Sequence, residues 1–314
     1  MELRKDYILD RWVIISEKRG KRPDQFKNEA KPDPSTPSSC FFCPGHESET
    51  PPEIGRIEKD GRWQLRNFPN KFNFIEREGD KTIKTADNFF TYSNPYGSHE
   101  VIVETPDHSK QIYDLSHDEL KQLFKVYAQR IAELSQKDEY VVVMKNHGRS
   151  AGTSIQHSHS QIMSLQMVPP LVAKEIEASH RDGRCLYCDI IKAESWSYRR
   201  VAENDSFVAF CPYASTFGFE VWVFVREHLR EMAQFSEKHY DDLITIMGLI
   251  LGKLKEWGLD FNYHIHYAPR GKDLHFHIEI TPRVFLPGGF EIGSGIIVNT
   301  VPPENAAKFY RGEQ

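Results

Sequence analysis

The sequence predicts an α+β protein built from two copies of one unit, each an antiparallel sheet with a helix packed on it. Three observations carry this. A C-x-x-C pair, a single histidine, a serine and an H-x-H pair recur in the same order in both parts of the 314-residue chain. An apolar, β-branched run precedes the single histidine each time. An amphipathic helical period follows the serine each time.

The repeated elements align in order. Cys40-Phe-Phe-Cys43 matches Cys185-Leu-Tyr-Cys188. Tyr96-Gly-Ser-His-Glu-Val-Ile-Val-Glu-Thr-Pro-Asp-His108 lies over Phe217-Gly-Phe-Glu-Val-Trp-Val-Phe-Val-Arg-Glu-His228 with one residue of slip. Glu100 and Glu220 each stand eight residues before the single histidine, and Ser116 and Ser236 each stand eight after it. His157-Ser-His159 and His275-Phe-His277 close the two copies, 49 and 47 residues beyond His108 and His228. Chance agreement of four ordered landmarks is improbable.

Strands are predicted at Glu100–Glu104 and Glu220–Val225, rich in Val, Ile and aromatics. Ser116 with Glu119 makes a capping box. Leu120, Leu123, Phe124, Tyr127, Ile131 and Leu134 follow at helical spacing, and Tyr240, Leu243, Ile244, Met247, Leu251 and Leu254 repeat the pattern after Ser236. Further strands are predicted at Tyr140–Lys145 and Tyr263–Tyr267, then at His157–Leu165 and Leu274–Ile280. Asn28–Ser39 and Arg56–Gly61 look like loops, and Val168 to Gly183 links the copies. The expected units are residues 1–167 and 168–314.

Composition narrows the function. Apolar residues make up 39% and charged residues 27%, enough for a real core. The net charge of −5 argues against a partner bound by phosphate neutralisation, so no nucleic acid is expected. The longest apolar stretch, Leu243 to Gly252, spans ten residues, half the roughly 20 that cross a bilayer. The first residues carry charges of both signs and no apolar core of a secretory signal, so a cytoplasmic location is expected. There is no P-loop and no G-x-G-x-x-G.

In such a compartment, paired C-x-x-C motifs point to metal or redox chemistry rather than structural disulfides. Cys40 follows a Pro- and Ser-rich loop instead of the strand a thioredoxin-type site needs, which favours metal. Tetrahedral zinc takes four nitrogen or sulfur ligands, often a C-x-x-C pair and distant histidines. Cys40, Cys43, His108 and one of His157/His159 supply one set. Cys185, Cys188, His228 and one of His275/His277 supply another, giving two Zn2+ per chain. Cys211 is read as a core residue. On a strand, residues two apart share a face about 7 Å apart, so a metal on one histidine holds the other rigidly beside it. An unliganded imidazole fixed that way suits nucleophilic or general-base work; the alternative is that both histidines are ligands. The polar run Ser154-Ile-Gln-His-Ser-His-Ser-Gln161 favours the first copy for chemistry.

H-x-H-x-Q, duplicated halves and this zinc layout resemble the galactose-1-phosphate uridylyltransferase branch of the histidine-triad superfamily. The resemblance runs from Arg11-Trp-Val-Ile-Ile-Ser to Gly288-Gly-Phe-Glu-Ile-Gly and implies two histidine-triad-like halves. It implies that His159 attacks the α-phosphorus of a nucleotide sugar, expels a sugar 1-phosphate and carries the nucleotidyl group to a second acceptor. It makes His157 a zinc ligand, and Gln161 a donor to the phosphoryl oxygens. Asn146 and Ser154 match phosphate or nucleotide contacts, and Arg19 and Arg22 match basic phosphate ligands. Asn70 stands where the family has a nucleotide-contacting segment. It further implies a homodimer in which both subunits line each site. Repeat logic places the second metal on Cys185, Cys188, His228 and His275, although some relatives use a Glu and three histidines, here Glu175, His266, His275 and His277. His277, beside Phe276 and Ile278 and followed by Glu279 where the first copy has Gln161, is expected to be catalytically silent.

The first reading is transfer of UMP between UDP-glucose and a hexose 1-phosphate. Three departures, Ser158 in place of proline, Asn70-Lys-Phe in place of Asn-Asp-Phe, and a tail without the expected Lys and Gln, resemble the ADP-glucose phosphorylases, which use inorganic phosphate as acceptor. That is the alternative. A dinucleotide hydrolase is the third reading.

Overall fold

The structure is a computed structural model that describes residues 1–17 and 36–313. The predicted loop at Asn28–Ser39 therefore falls largely outside the described residues, as do Arg19 and Arg22. Among the described residues, ten strands form one continuous antiparallel sheet.

Five come from residues 55–165: β3 (Gly55–Lys59), β4 (Arg62–Pro69), β7 (Gly97–Val103), β8 (Tyr140–His147) and β9 (His159–Leu165). Five come from residues 200–282: β12 (Arg200–Glu203), β13 (Phe207–Phe210), β14 (Val221–Val225), β15 (Phe261–His266) and β16 (His277–Pro282). Their spatial order is β3-β4-β7-β9-β8-β15-β16-β14-β13-β12. The two runs meet at β8 and β15, where Asn146 faces Asn262 and Lys145 faces Tyr263. Outside this sheet, β1 (Glu2–Lys5), β2 (Trp12–Ile15) and β17 (Ile297–Asn299) make a three-stranded sheet. A hairpin of β5 (Lys84–Ala86) and β6 (Phe90–Tyr92) and a short pair of β10 (His180–Arg181) and β11 (Arg184–Cys185) complete the strands.

The two predicted amphipathic helices form. In α1 (His117–Leu134) the Ser116 side chain accepts from Glu119 N, and Glu119 answers to Ser116 N at 2.7 Å, the reciprocal cap read from the sequence. In α4 (Glu237–Glu256), Ser236 does the same with His239. The apolar faces of both helices enter one core that also takes in the sheet. The helices touch each other through Lys121–Asp241 and Lys125–Glu237, both 2.6 Å. Four shorter helices, α2 (Pro170–Ala178), α3 (Leu186–Glu194), α5 (Gly289–Ser294) and α6 (Pro303–Arg311), were not anticipated.

Three local expectations need correction. Arg56–Gly61 is not a loop but most of β3 and its turn. Asp60 and Gly61 both have positive φ (52° and 73°), which suits the two-residue hairpin that Asp-Gly favours. Its charged, exposed side chains hide the strand pattern because β3 is the sheet edge, where charge blocks further pairing. The linker from Val168 to Gly183 is largely α2, started by Pro170 in the first turn, where its missing N–H leaves nothing unpaired. The strands at the H-x-H pairs begin later than predicted: His159 and His277 open β9 and β16, and His157 and His275 precede them.

Candidate active site and metal centres

Cys40 and Cys43 are buried in a small cluster with Phe42, with Trp63 and Phe68 of β4, and with Val101 and Val103 of β7. Cys43 Sγ lies 3.3 Å from His108 Nδ1 and 3.5 Å from His157 Nδ1, and Cys40 Sγ lies 3.6 Å from His157 Nδ1. Ligand bonds of about 2.0–2.1 Å to nitrogen and 2.3 Å to sulfur put S and N about 3.5 Å apart across a zinc tetrahedron. The four side chains thus fit one ion. His157 Nε2 donates to Thr105 O at 2.7 Å, which leaves the Nδ1 lone pair facing the thiols. Burial pushes the Cys43 thiol up to about 12, so a thiolate there needs a cation beside it.

Cys185, Cys188, His228 and His275 converge in the same way, their ligand atoms within 4.8 Å of one another. Cys188 Sγ lies 3.3 Å from His228 Nδ1 and 3.5 Å from His275 Nδ1. His275 Nε2 donates to Val225 O at 2.7 Å, matching the His157 bond, and His228 Nε2 meets Asp273 at 2.8 Å. Burial, then His228 and His277, keep His275 neutral by lowering it to about 4.

The alternative ligand set does not assemble as read. His275 stands with the cysteines, and Glu175, His266 and His277 converge with Glu279 instead. His266 Nδ1 lies 2.7 Å from Glu175 Oε2. Burial works against the imidazolium there, yet Glu175 and Glu279 outweigh it and push His266 up to about 9.

His159 faces a cavity of about 260 Å³ lined also by Lys145, Asn146, Ser154, His157 and Asp260. His159 Nδ1 donates to His157 O at 2.9 Å, so Nε2 holds the lone pair. Burial, with the Lys145 charge next, lowers His159 to about 4, which keeps the imidazole neutral at neutral pH. Although His157 lies before the strand, both rings still meet the ring of Phe42, at 6.2 Å and 5.3 Å. Gln161 and Asn70 are joined through a residue the sequence reading missed: His99 Nε2 lies 2.8 Å from Gln161 Oε1 and 3.0 Å from Asn70 Nδ2. His99 sits in the repeated block beside Glu100, the one signal that could have flagged it.

The cavity floor is held from the other run of strands. Asn262 Nδ2 donates to Asn146 Oδ1 and to Ala151 O, both at 2.8 Å, and Asp260 accepts from Ser150 N at 2.8 Å. Neither residue carries a motif. By contrast, His277 is fully buried, stacked on Phe224 at 4.6 Å, and its Nε2 has no hydrogen-bond partner.

Residues 1–169 match the family described as galactose-1-phosphate uridyl transferase, N-terminal domain. The chain belongs to this family. It thereby joins enzymes that transfer nucleotidyl groups. An ADP-glucose phosphorylase of Arabidopsis thaliana is 35% identical over 99% of this chain and 92% of its own length. A galactose-1-phosphate uridylyltransferase of Thermotoga maritima is 25% identical over 99% of this chain and 98% of its own. The solved structure of an Arabidopsis thaliana ADP-glucose phosphorylase with bound ADP-glucose superposes with a TM-score of 0.84 at 32% identity, covering 100% of this chain and 99% of that one. Family members thus share the whole fold and not the first half alone.

Proposed function

We propose that the chain cleaves ADP-glucose with inorganic phosphate to ADP and glucose 1-phosphate, through an adenylyl group carried on His159. The observation that carries the reading is the His159 geometry: Nδ1 committed to a carbonyl, Nε2 free and neutral beside the cavity. Nε2 attacks the α-phosphorus; the P–O bond to glucose 1-phosphate breaks, and that group leaves with the bonding pair. Phosphate then attacks the same phosphorus, the P–N bond breaks, and the electrons return to Nε2. The His157 carbonyl steadies the Nδ1–H while the ring carries positive charge. Gln161 contributes amide N–H donors to the phosphoryl oxygens, with Asn146 and Ser154 at the nucleotide or its phosphates and Arg19 and Arg22 as further phosphate ligands. Asn70 acts through His99.

Cys40, Cys43, His108 and His157 hold one Zn2+, and Cys185, Cys188, His228 and His275 the other. Bound zinc supplies a rigid anchor for His157, and hence for the carbonyl that orients His159. In the same reading the units 1–167 and 168–314 are duplicated histidine-triad-like halves, and the mirrored strand order supports this. The second half is silent: its histidine is sealed.

Adenosine is preferred because the relatives with ADP-glucose activity or bound ADP-glucose are 35% and 32% identical over the full chain. Uridylyl transfer between UDP-glucose and a hexose 1-phosphate is the second reading, supported by the uridylyltransferases at 25–29% identity. The test is product release: ADP-glucose with phosphate against UDP-glucose with galactose 1-phosphate. The proposal requires the first pair to react faster. Faster turnover of the second pair would replace it with the uridylyl reading.

A homodimer is part of the proposal. Phe72 and Phe74 are exposed, and the Phe74 ring meets His99 at 5.0 Å, so exposed apolar side chains stand beside the Gln161–His99 link. A second copy covering it would close over the Gln161–His99 link.

A further inference from the structure

Directly after β7, Glu104 buries a carboxylate with no exposed side-chain surface. Its Oε2 accepts from Lys145 Nζ at 2.6 Å and from Ser158 Oγ at 2.5 Å, and its Oε1 accepts from Ser160 Oγ. Lys145 Nζ also donates to Ser158 Oγ at 2.8 Å. Burial works to raise Glu104, and Lys145 with the two serines outweighs it, so the carboxylate is charged.

Ser158 and Ser160 are the immediate neighbours of His159. Within β9 successive residues point to opposite faces, so Ser160 lies on the face opposite the imidazole, while Ser158, just before the strand, lines the cavity with Lys145. Both serines are fastened to one carboxylate. Lys145 ties the same point to β8. Tyr127 of α1 reaches Ser160 Oγ, and Tyr263 of β15 lies 2.8 Å from Tyr127. The hydroxyls can run in one direction, Tyr263 to Tyr127 to Ser160 to Glu104, with every donor used.

We propose that Glu104, Lys145, Ser158 and Ser160 are positioning residues that lock the backbone on both sides of His159 and so fix the direction of Nε2. This rests on the reading of His159 as the nucleotidyl carrier. A buried ion pair is often no more stable than apolar side chains of the same volume, so stability alone does not account for it. The second H-x-H shows the apolar solution within the same chain: Phe276 and Ile278 flank His277, and all three are fully buried. Attack on phosphorus, by contrast, is sensitive to placement, and an error of about 1 Å can slow a reaction about 100-fold.

The test is single-turnover formation of the nucleotidyl adduct from ADP-glucose, followed by intact mass at several ADP-glucose concentrations. Ser158→Ala/Ser160→Ala should lower the maximal rate about 10- to 100-fold. The half-saturating concentration should stay within about twofold, and zinc content should not change. Each single substitution should show part of the loss. Tyr127→Phe weakens the same network one step further out, and should lower Tm while leaving the rate near wild type. A double serine variant that forms adduct at the wild-type rate overturns the lock. So does an equal rate loss in Tyr127→Phe, which would mark general loosening. Absence of adduct in the wild type would instead overturn the reading of His159 itself.

Discussion

In the proposed reading His159 and His157, two residues apart, do unlike work, and substitutions should separate them. His159→Asn is expected to lower nucleotidyl transfer by more than about 10³-fold with zinc content and Tm near wild type. Loss of one zinc per chain in that variant would show that His159 is a ligand. His157→Ala or Cys40→Ser should lose one metal per chain and several degrees of Tm, because zinc binding adds directly to folding free energy. Burial, then Lys145, holds His159 near 4 instead of 6.5, so its neutral form persists to lower pH. The maximal rate should therefore stay flat from pH 8 to about 6 and fall only towards pH 4, with metal content checked at each point. A midpoint near 6.5 would contradict it. The convergence of the cysteines and histidines was legible because their spacing suits a metal and the chain repeats it. His99, Phe42 and Glu104 were not, since their roles arise from strand pairing: Val103 pairs with His159, which places Glu104 beside Ser158 and Ser160.

At the scale of elements, what the sequence revealed was periodicity and capping. Both long helices could be read because their apolar faces and serine caps are local signals. Ser116→Ala should destabilise the protein by about 1 kcal/mol in chemical denaturation, since it removes an N-cap acceptor. The edge strand β3 was hidden by its charges, and α2 by its short length and leading prolines. The loop from Gly148 to Thr153 shows why the cavity floor could not be foreseen. Gly148 has φ 83° and ψ 162°, a conformation essentially restricted to glycine, and a Cβ there would lie 1.8 Å from Asp260 Oδ1. Asp260 is 112 positions away in sequence, so only the joining of β8 to β15 brings the pair together. Gly148→Ala should cost about 1–3 kcal/mol of stability and weaken nucleotide-sugar binding, read as a higher KM.

For the whole molecule, one core beneath a sheet of ten described strands makes the later run a support for the earlier one. Cys185→Ser should lose one zinc and melt at lower temperature while His277→Asn retains most activity; one zinc per chain in the wild type would contradict this. The proposed dimer should be seen at micromolar concentration by light scattering, and a fully active monomer would refute it. The α+β class was evident before any coordinates, as was the recurrence of sequence landmarks that suggests two copies, whereas the joining of both runs into one sheet was not, because nothing local marks β8 and β15 as partners. The central claim is a covalent nucleotidyl group on His159. Incubating the chain with ADP-glucose without phosphate, then measuring intact mass and mapping the adduct, tests it most directly. A gain of one AMP, located on His159 and discharged to ADP by added phosphate, is expected; no gain, or an adduct on His277, would contradict the proposal.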